Sequence, residues 1–343
     1  MENRLIRSEM VAGTFRMAAK RHFASSDLCS SIALRIAEDA EVLEVAGLAN
    51  PGQFPPYLML AAVHSLLLKN TDVVLAQFFP SVSGKPVPKI DPYPAFRDFV
   101  LGARDQITEL IRTAHVNKSV LKRSACLRAL LVKIATENAW DRVHLVDIGC
   151  GVGLNLLMDY WRITYQGAGD VGPVASPVHF SIELRGGKTP PLDNMPEILS
   201  RTGIDLDYFD LTNEAQKQWI LGNLFPDHLD TFDATKRALP VLIKHTPRIL
   251  VGDAGVELAR VLPELSGRDP VIIMHSLAHH QMKLEQKRAV YQAIKRASIT
   301  RPILSIGMEL FDTKCLLSID TSDESEPIVA GEADDDANWM LWY

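Results

Sequence analysis

Three closely spaced glycines follow a short apolar run and are the residues best suited to hold a cofactor. The run His144–Asp147 predicts a buried strand, Gly149, Gly151 and Gly153 predict a tight turn, and Leu154–Asp159 predicts a helix. Glycine tolerates left-handed backbone angles and lets a ligand approach the main chain closely. The first turn of the predicted helix would offer N–H groups to a carboxylate.

The position of the acid relative to the glycines favours one cofactor over another. Dinucleotide sites use G-x-G-x-x-G, but the third glycine of that pattern is replaced here by Leu154. Asp147 stands two residues before Gly149, and the resulting Asp-x-Gly-x-Gly-x-Gly resembles the first motif of S-adenosylmethionine-dependent methyltransferases. We expect Asp147 to face the cofactor's ammonium, with Cys150 and Asn155 beside it. An NAD-dependent enzyme is the alternative.

Two further acids are expected at the carboxyl ends of later strands. Glu183 ends the predicted strand His179–Glu183, and we expect its carboxylate to bind the ribose hydroxyls. Asp253 follows the run Ile249–Gly252, and together with Ala254 it is expected to bind the adenine amino group. The structural alternative for each acid is a helix cap or a solvated loop residue.

Three histidines follow the strand that begins at Val271. An imidazole with a near-neutral pKa can take a proton from a hydroxyl, amine or acid, so His275 and His279 are the candidate bases. We also expect His275 to contact the cofactor and His280 to contact the acceptor. The alternatives are a hydrogen-bonded core histidine and a metal site on His275 and His279, but no third ligand has suitable spacing, so no metal is expected.

The aromatic pair Tyr160 and Trp161 comes soon after the glycine turn. These side chains are predicted to line the acceptor pocket. Packing of the inserted segment against the sheet is an equally good interpretation.

The elements that must position these residues fall into two halves. Up to about Ala139 the apolar spacing is helical, with one helix over Pro94–Ala114, another over about Lys118–Glu137, and no strand before Val143. Residues 1–139 are therefore predicted to form an all-helical domain, and residues 140–343 a Rossmann-like α/β domain with a mostly parallel sheet. Its predicted strands cover Val143–Ile148, Val178–Leu184, Ile249–Gly252, Val271–Met274 and Ile303–Met308.

Two late apolar runs, Cys315–Ile319 and Trp339–Tyr343, have no helix between them. They predict an antiparallel closing hairpin, with the acidic segment Asp320–Asp336 as its loop. A sheet that ends in this way is typical of class I methyltransferases.

Composition narrows the class of protein. The 343 residues carry a formal net charge of −6, which predicts no nucleic-acid partner. The 4 cysteines lack C-x-x-C spacing, the start MENRLIRSEM does not read as a signal peptide, and Tyr57–Leu68 is too short to span a bilayer. We expect a cytoplasmic protein with no membrane contact, and its oligomeric state is left open.

From about Leu34 to the C-terminus the chain resembles an uncharacterised, mainly bacterial family, domain of unknown function 2332. The resemblance lies in a helix like Leu58–Leu68, a basic stretch like Lys122–Leu127, a turn running into Gly153–Leu157, and a segment like Asp205–Asp210 followed by Trp219 and Phe225-Pro-Asp227. The family turn often reads Gly-Ala-Ser-Ala-Gly. Members are similar to methyltransferase folds, and the resemblance implies no particular substrate.

The sequence as a whole predicts an S-adenosylmethionine-dependent methyltransferase whose helical domain encloses a small-molecule acceptor. When a sulfonium gives up its methyl group, the departing thioether needs no proton from a general acid. Positioning of the acceptor would therefore supply most of the catalysis. One alternative is a cofactor-binding regulatory or partner-binding module without methyl transfer. Another is an enzyme that uses the same cofactor for a different reaction.

Overall fold

The chain divides into two compact units. A computed structural model describes residues 2–312, 314–321 and 326–343, with the side chains of residues 2–7 and 321 left aside. The first unit contains Met1–Ser119 and Asp210–Lys236, and the second contains Val120–Phe209 and Arg237–Tyr343. The boundary predicted at residue 139 therefore falls at Ser119, and a later segment returns to the helical unit.

The secondary-structure elements in the described residues of the first unit are all helices. The helix predicted over Pro94–Ala114 is broken at Ala103 into two, with the break at φ −106° and ψ 24°. The helices of the chain are α1 Glu2–Arg21, α2 Asp27–Ile36, α3 Ala40–Ala46, α4 Pro55–Leu67, α5 Pro80–Ser83, α6 Tyr93–Gly102, α7 Arg104–Thr113, α8 Arg123–Asn138, α9 Glu214–Gly222, α10 Leu229–Lys244, α11 Ala254–Val261 and α12 Leu284–Ala297. Of these, α8, α11 and α12 belong to the second unit, and α10 runs from the first into the second.

The segment Asp210–Lys236 contacts the rest of the first unit through polar and aromatic side chains. Ser26, which caps α2, donates its hydroxyl to Asp227 at 2.6 Å. The rings of Phe23 and Phe225 meet edge to face at 5.8 Å between centroids. The buried α4 contacts α1, α7 and α9. No helix among the described residues is both long and apolar enough to cross a membrane.

The second unit is built on one large sheet. In the described residues its strands are β1 Arg142–Ile148, β2 Arg162–Gln166, β3 Gly169–Val171, β4 His179–Arg185, β5 Glu197–Asp205, β6 Arg248–Val251, β7 Val271–Ser276, β8 Ile303–Phe311, β9 Lys314–Thr321, β10 Ile328–Ala333 and β11 Trp339–Trp342. They lie in the order β3-β2-β4-β11-β10-β9-β8-β7-β1-β5-β6.

Five neighbouring strands of this sheet are parallel. They are β6, β5, β1, β7 and β8, and numbered by their order along the chain they read 3-2-1-4-5. That is the order of a doubly wound nucleotide-binding sheet, in which ligands bind outside the carboxyl ends of the strands where the order reverses. Here the reversal lies between β1 and β7.

A buried hydrophobic cluster shows which side chains of β1 face the core. Val146 and Ile148 pack into a buried cluster with Leu258 of α11 and Val290 of α12. Because successive side chains of a strand point to opposite faces, Asp147 points away from this cluster. Helix α8, which is almost wholly buried, contacts β7, β8 and β9.

Two predicted elements are wrong. The glycine turn leads into a short 3₁₀ helix, Leu154–Leu157, and then into β2, instead of into an α-helix. All four residues Leu154–Leu157 are buried. The predicted closing pair is also incorrect, because β10 forms inside the supposed acidic loop and lies between β9 and β11.

Candidate functional site

The glycine turn lies at the carboxyl end of β1, next to the point where the strand order reverses. All three glycines have left-handed backbone angles, with φ of +67° at Gly149, +54° at Gly151 and +89° at Gly153. The N–H of Gly149 donates to the carbonyl oxygen of Ile204 at 2.8 Å. The end of β5 therefore holds the turn in place.

Asp147 is a fully buried carboxyl group beside the side chain of Asn155. Its relative exposure is 0%, and neither carboxylate oxygen has a hydrogen-bond partner of ordinary geometry among the described residues. Burial raises the pKa of Asp147 to about 8; the nearby side chain of Asn155 opposes this rise, and the charge of Asp205 adds to it. The side-chain oxygen of Asn155 is also buried without a partner. A donor or cation arriving here would satisfy polar atoms that the described chain leaves unsatisfied.

Asp205 is a site residue that the strand prediction missed. It ends β5, the strand beside β1, and its Oδ2 accepts a hydrogen bond from the N–H of Gly151 at 2.8 Å. Burial raises its pKa, although hydrogen bonds from the backbone of Gly151 and Asp207 act in the opposite direction. The polar residues Ser200, Arg201 and Thr202 lie in the middle of β5, so the strand has no apolar run that could reveal it.

The structure does not bring Glu183 to the glycine turn. Five strands lie between β4 and β1. The pairings also give β4 the opposite direction to β1, so that its carboxyl end lies at the other edge of the sheet. The carboxylate of Glu183 is half exposed and pairs with Arg185 at 3.1 Å.

Asp253 follows β6, at the same edge as Asp205, and caps α11. Its Oδ1 accepts hydrogen bonds from the N–H groups of Gly255 at 3.0 Å and Val256 at 3.3 Å, and its Oδ2 accepts one from Gln286 at 2.9 Å. The bond from Gln286 is the main reason that the pKa of Asp253 is lowered. Ala254, the first residue of the helix, is buried in the core.

The histidines at and beyond the end of β7 are gathered around Glu309, a residue of β8 that the sequence did not single out. Oε1 of Glu309 lies 2.7 Å from Nδ1 of His275, and Oε2 lies 2.8 Å from Nδ1 of His280. The same carboxylate accepts the backbone N–H groups of Ala278, His279 and His280 at 3.0–3.2 Å. Burial alone would raise the pKa of Glu309, but the hydrogen bonds from His275 and His280 hold it well below its ordinary value.

His279 differs from its two neighbours. Its ring lies 5.1 Å from that of His275, and no described side chain makes a hydrogen bond to it. Burial, followed by the charge of His275, lowers its pKa to about 4. A base this weak is a poor proton acceptor near neutral pH.

Glycines allow the histidine segment 275–280 to pack tightly against the sheet. A Cβ on Gly149 would lie 2.4 Å from Cβ of Ala278, so the segment passes directly over the first glycine of the turn. A Cβ on Gly307 of β8 would lie 2.4 Å from Cε1 of His275. The glycine turn and the histidine segment are therefore in direct contact.

The other predicted site residues have packing roles in this structure. Trp161 is fully buried and donates its indole N–H to the carbonyl oxygen of Leu154 at 3.2 Å. Tyr160 is half-buried, and its ring lies 4.5 Å from that of His245 between centroids, inclined to it by 44°. The side chain of Cys150 is also buried, and a Cβ on Gly203 would lie 2.5 Å from its Sγ. Burial raises the pKa of the Cys150 thiol far above its ordinary value.

The described residues contain no group of three or more His, Cys, Asp and Glu side chains placed to hold a metal ion. In the histidine segment, the carboxylate that would be a third ligand is occupied by five hydrogen bonds.

These features define a mixed α/β protein with a large, mostly parallel sheet, and with the buried Asp147 and the partly buried Asp205 at one edge of it. The chain belongs to the family described as "Uncharacterized protein conserved in bacteria (DUF2332)", whose model matches residues 12–342. No curated protein matches the chain.

Proposed function

We propose that this protein is a class I S-adenosylmethionine-dependent methyltransferase that acts on a small-molecule acceptor. The observation that carries the proposal is the buried, unsatisfied carboxyl of Asp147 beside a glycine turn at the reversal point of a 3-2-1-4-5 sheet. The antiparallel β9, next to the fifth of these strands, supports a methyltransferase sheet over an ordinary dinucleotide-binding one.

The residues present fit the two polar ends of this cofactor. Asp147 and the side-chain oxygen of Asn155 are buried acceptors without partners, as a bound ammonium requires. Asp205 ends the second strand of the series, which is the position that takes ribose hydroxyls in doubly wound folds. It replaces Glu183 in that role.

When bound, S-adenosylmethionine supplies an activated methyl group on a positively charged sulfur. The chain then has to hold the acceptor in line, exclude water and, for an acceptor that must lose a proton, provide a base. The segment 275–280 lies over the glycine turn and provides histidines for that purpose.

Isothermal calorimetry with S-adenosylhomocysteine and with adenosine tests the assignment of the two acids. Asp147→Asn should weaken S-adenosylhomocysteine at least 10-fold and leave adenosine unchanged, because adenosine lacks the amino-acid part. Asp205→Asn should weaken both. Glu183→Gln, at the opposite edge, is the matched control and should change neither. Absence of binding by wild-type protein, or binding of NAD alone, would overturn the proposal.

The protonation state of Asp147 gives an independent test. With its pKa raised to about 8, Asp147 holds a proton at pH 7, and a bound ammonium would favour the ionised form. Binding should therefore release a proton from this carboxyl. The measured heat should differ between phosphate and Tris buffers for the wild type, and the difference should shrink in Asp147→Asn.

Release of S-adenosylhomocysteine over a panel of small hydroxyl, amine and carboxyl compounds separates methyl transfer from binding alone. Turnover with one class of acceptor supports an enzyme. Tight binding with no turnover over the whole panel would favour the alternative of a cofactor-binding module.

A further inference from the structure

Glu309 connects the histidine segment to the glycine turn. Its carboxylate is largely buried, with 16% of the side chain exposed, and it accepts five hydrogen bonds from four residues, at positions 275 and 278–280. Three of these donors are backbone N–H groups. One of them belongs to Ala278, whose side chain packs on Gly149.

The carboxylate also fixes which ring nitrogens carry protons. An ionised carboxylate only accepts hydrogen bonds, so Nδ1 of both His275 and His280 must be the donor. In the neutral rings, each Nε2 then carries a lone pair, and neither makes a hydrogen bond within the part of the chain that is described. This is the arrangement in which an acidic residue orients a histidine base.

Exposure distinguishes the two rings that Glu309 holds. The side chain of His275 is 9% exposed and packs over Gly307, whereas that of His280 is 33% exposed. Of these two rings, that of His280 combines the carboxylate partner with access for a molecule from outside. His279 has no such partner for its ring, and its pKa is lowered to about 4.

We propose that Glu309 is a positioning residue that holds residues 278–280 over the glycine turn and presents Nε2 of His280 as the base for the acceptor. This proposal rests on the proposed function for the identity of the reaction. In the proton step, the acceptor's O–H or N–H bond breaks and an Nε2–H bond forms on His280. The resulting imidazolium is stabilised by the carboxylate of Glu309 through Nδ1–H.

Asp320 and Lys287 also lie near the cluster formed by Glu309 and the histidines. Asp320 of β9 lies close enough for the charge of His275 to act on it, and burial raises its pKa. Lys287 of α12 acts on His279. Glu309 remains the carboxylate that hydrogen-bonds to both His275 and His280.

Long-range ¹⁵N–¹H NMR of the histidine rings in the full-length protein tests the positioning directly, with assignments from His275→Gln and His280→Gln. We expect both rings in the Nδ1–H tautomer at pH 8 in the wild type. Glu309→Gln should abolish this fixed tautomer, and Glu183→Gln should leave it unchanged. An Nε2–H tautomer for His280 in the wild type would overturn the proposal, whether or not Glu309→Gln folds.

Kinetics then separates this proposal from the proposed function. With an acceptor that supports turnover, His280→Gln and Glu309→Gln should each lower kcat about 100-fold with little change in KM, and His279→Gln should lower it much less. Unchanged kcat in His280→Gln would overturn the role of the base. Failure of the wild type to bind S-adenosylhomocysteine would refute the proposed function, while the tautomer measurement would still decide whether Glu309 orients the rings.

Discussion

Two carboxyl groups near the same edge of the sheet have opposite environments. Asp147 is wholly buried and neither oxygen has a hydrogen-bond partner of ordinary geometry among the described residues. Glu309 is also largely buried but accepts five hydrogen bonds. Accordingly, the pKa of Asp147 is raised to about 8, and that of Glu309 is lowered.

This difference shows how burial can serve two purposes. A carboxylate that already has its donors stabilises the fold and orients the groups around it. A buried carboxyl without donors destabilises the folded chain until a ligand provides them. The stability of variants should therefore separate a structural acid from one that is reserved for a ligand.

The largest effect is expected for Glu309→Gln, which should destabilise the protein by about 3–5 kcal/mol. The amide can no longer accept hydrogen bonds from both imidazoles and three backbone N–H groups, and donors buried without partners are costly. Urea unfolding at pH 7 measures the loss. Glu183→Gln, which removes an exposed ion pair, should change the free energy of unfolding by less than about 0.5 kcal/mol.

Gly149→Ala should cost about 2–3 kcal/mol, because φ is +67° and the new Cβ would lie 2.4 Å from Cβ of Ala278. In an Ala278→Gly background the clash disappears, and the cost should fall to about 1 kcal/mol from the backbone angle alone. Equal costs in both backgrounds would show that the histidine segment does not pack on the turn.

Asp147→Asn should stabilise the ligand-free protein by about 2 kcal/mol at pH 8 while weakening S-adenosylhomocysteine binding. The folded pKa of about 8 lies above the ordinary value of 3.8, so the folded state keeps a proton that the unfolded state loses. Wild-type stability is therefore lost progressively between about pH 4 and pH 8. Thermal unfolding at pH 5 and pH 8 should show the variant's advantage only at the higher pH.

Asp253→Ala should have the smallest effect, a loss of about 1 kcal/mol, which is the usual cost of removing a helix cap. Its carboxylate has donors, so it resembles Glu309 more than Asp147. Because its pKa is lowered in the folded state, this stabilisation should be lost as the pH falls through the folded pKa. A gain in stability would place Asp253 with Asp147 as an acid reserved for a ligand.

Much of the candidate site, at the carboxyl ends of β1, β7 and β8, could be predicted from local sequence patterns. Strands near the predicted runs Val271–Met274 and Ile303–Met308 are present, and the glycine turn follows β1. Asp205 was missed because β5 is polar in its middle, and Glu309 because β8 continues past the apolar run that predicted it. The α-helix expected after the turn is instead a short 3₁₀ helix, Leu154–Leu157.

By itself, the sequence determined the strand and glycine turn at Asp147–Gly153, because buried strands need apolar runs and left-handed turns favour glycine. The tertiary structure alone decided which acids accompany that turn. Strand order and direction arise from packing between distant segments, which local periodicity does not record. They place Asp205 beside Asp147, bring Glu309 to the histidines, and move Glu183 to the opposite edge of the sheet.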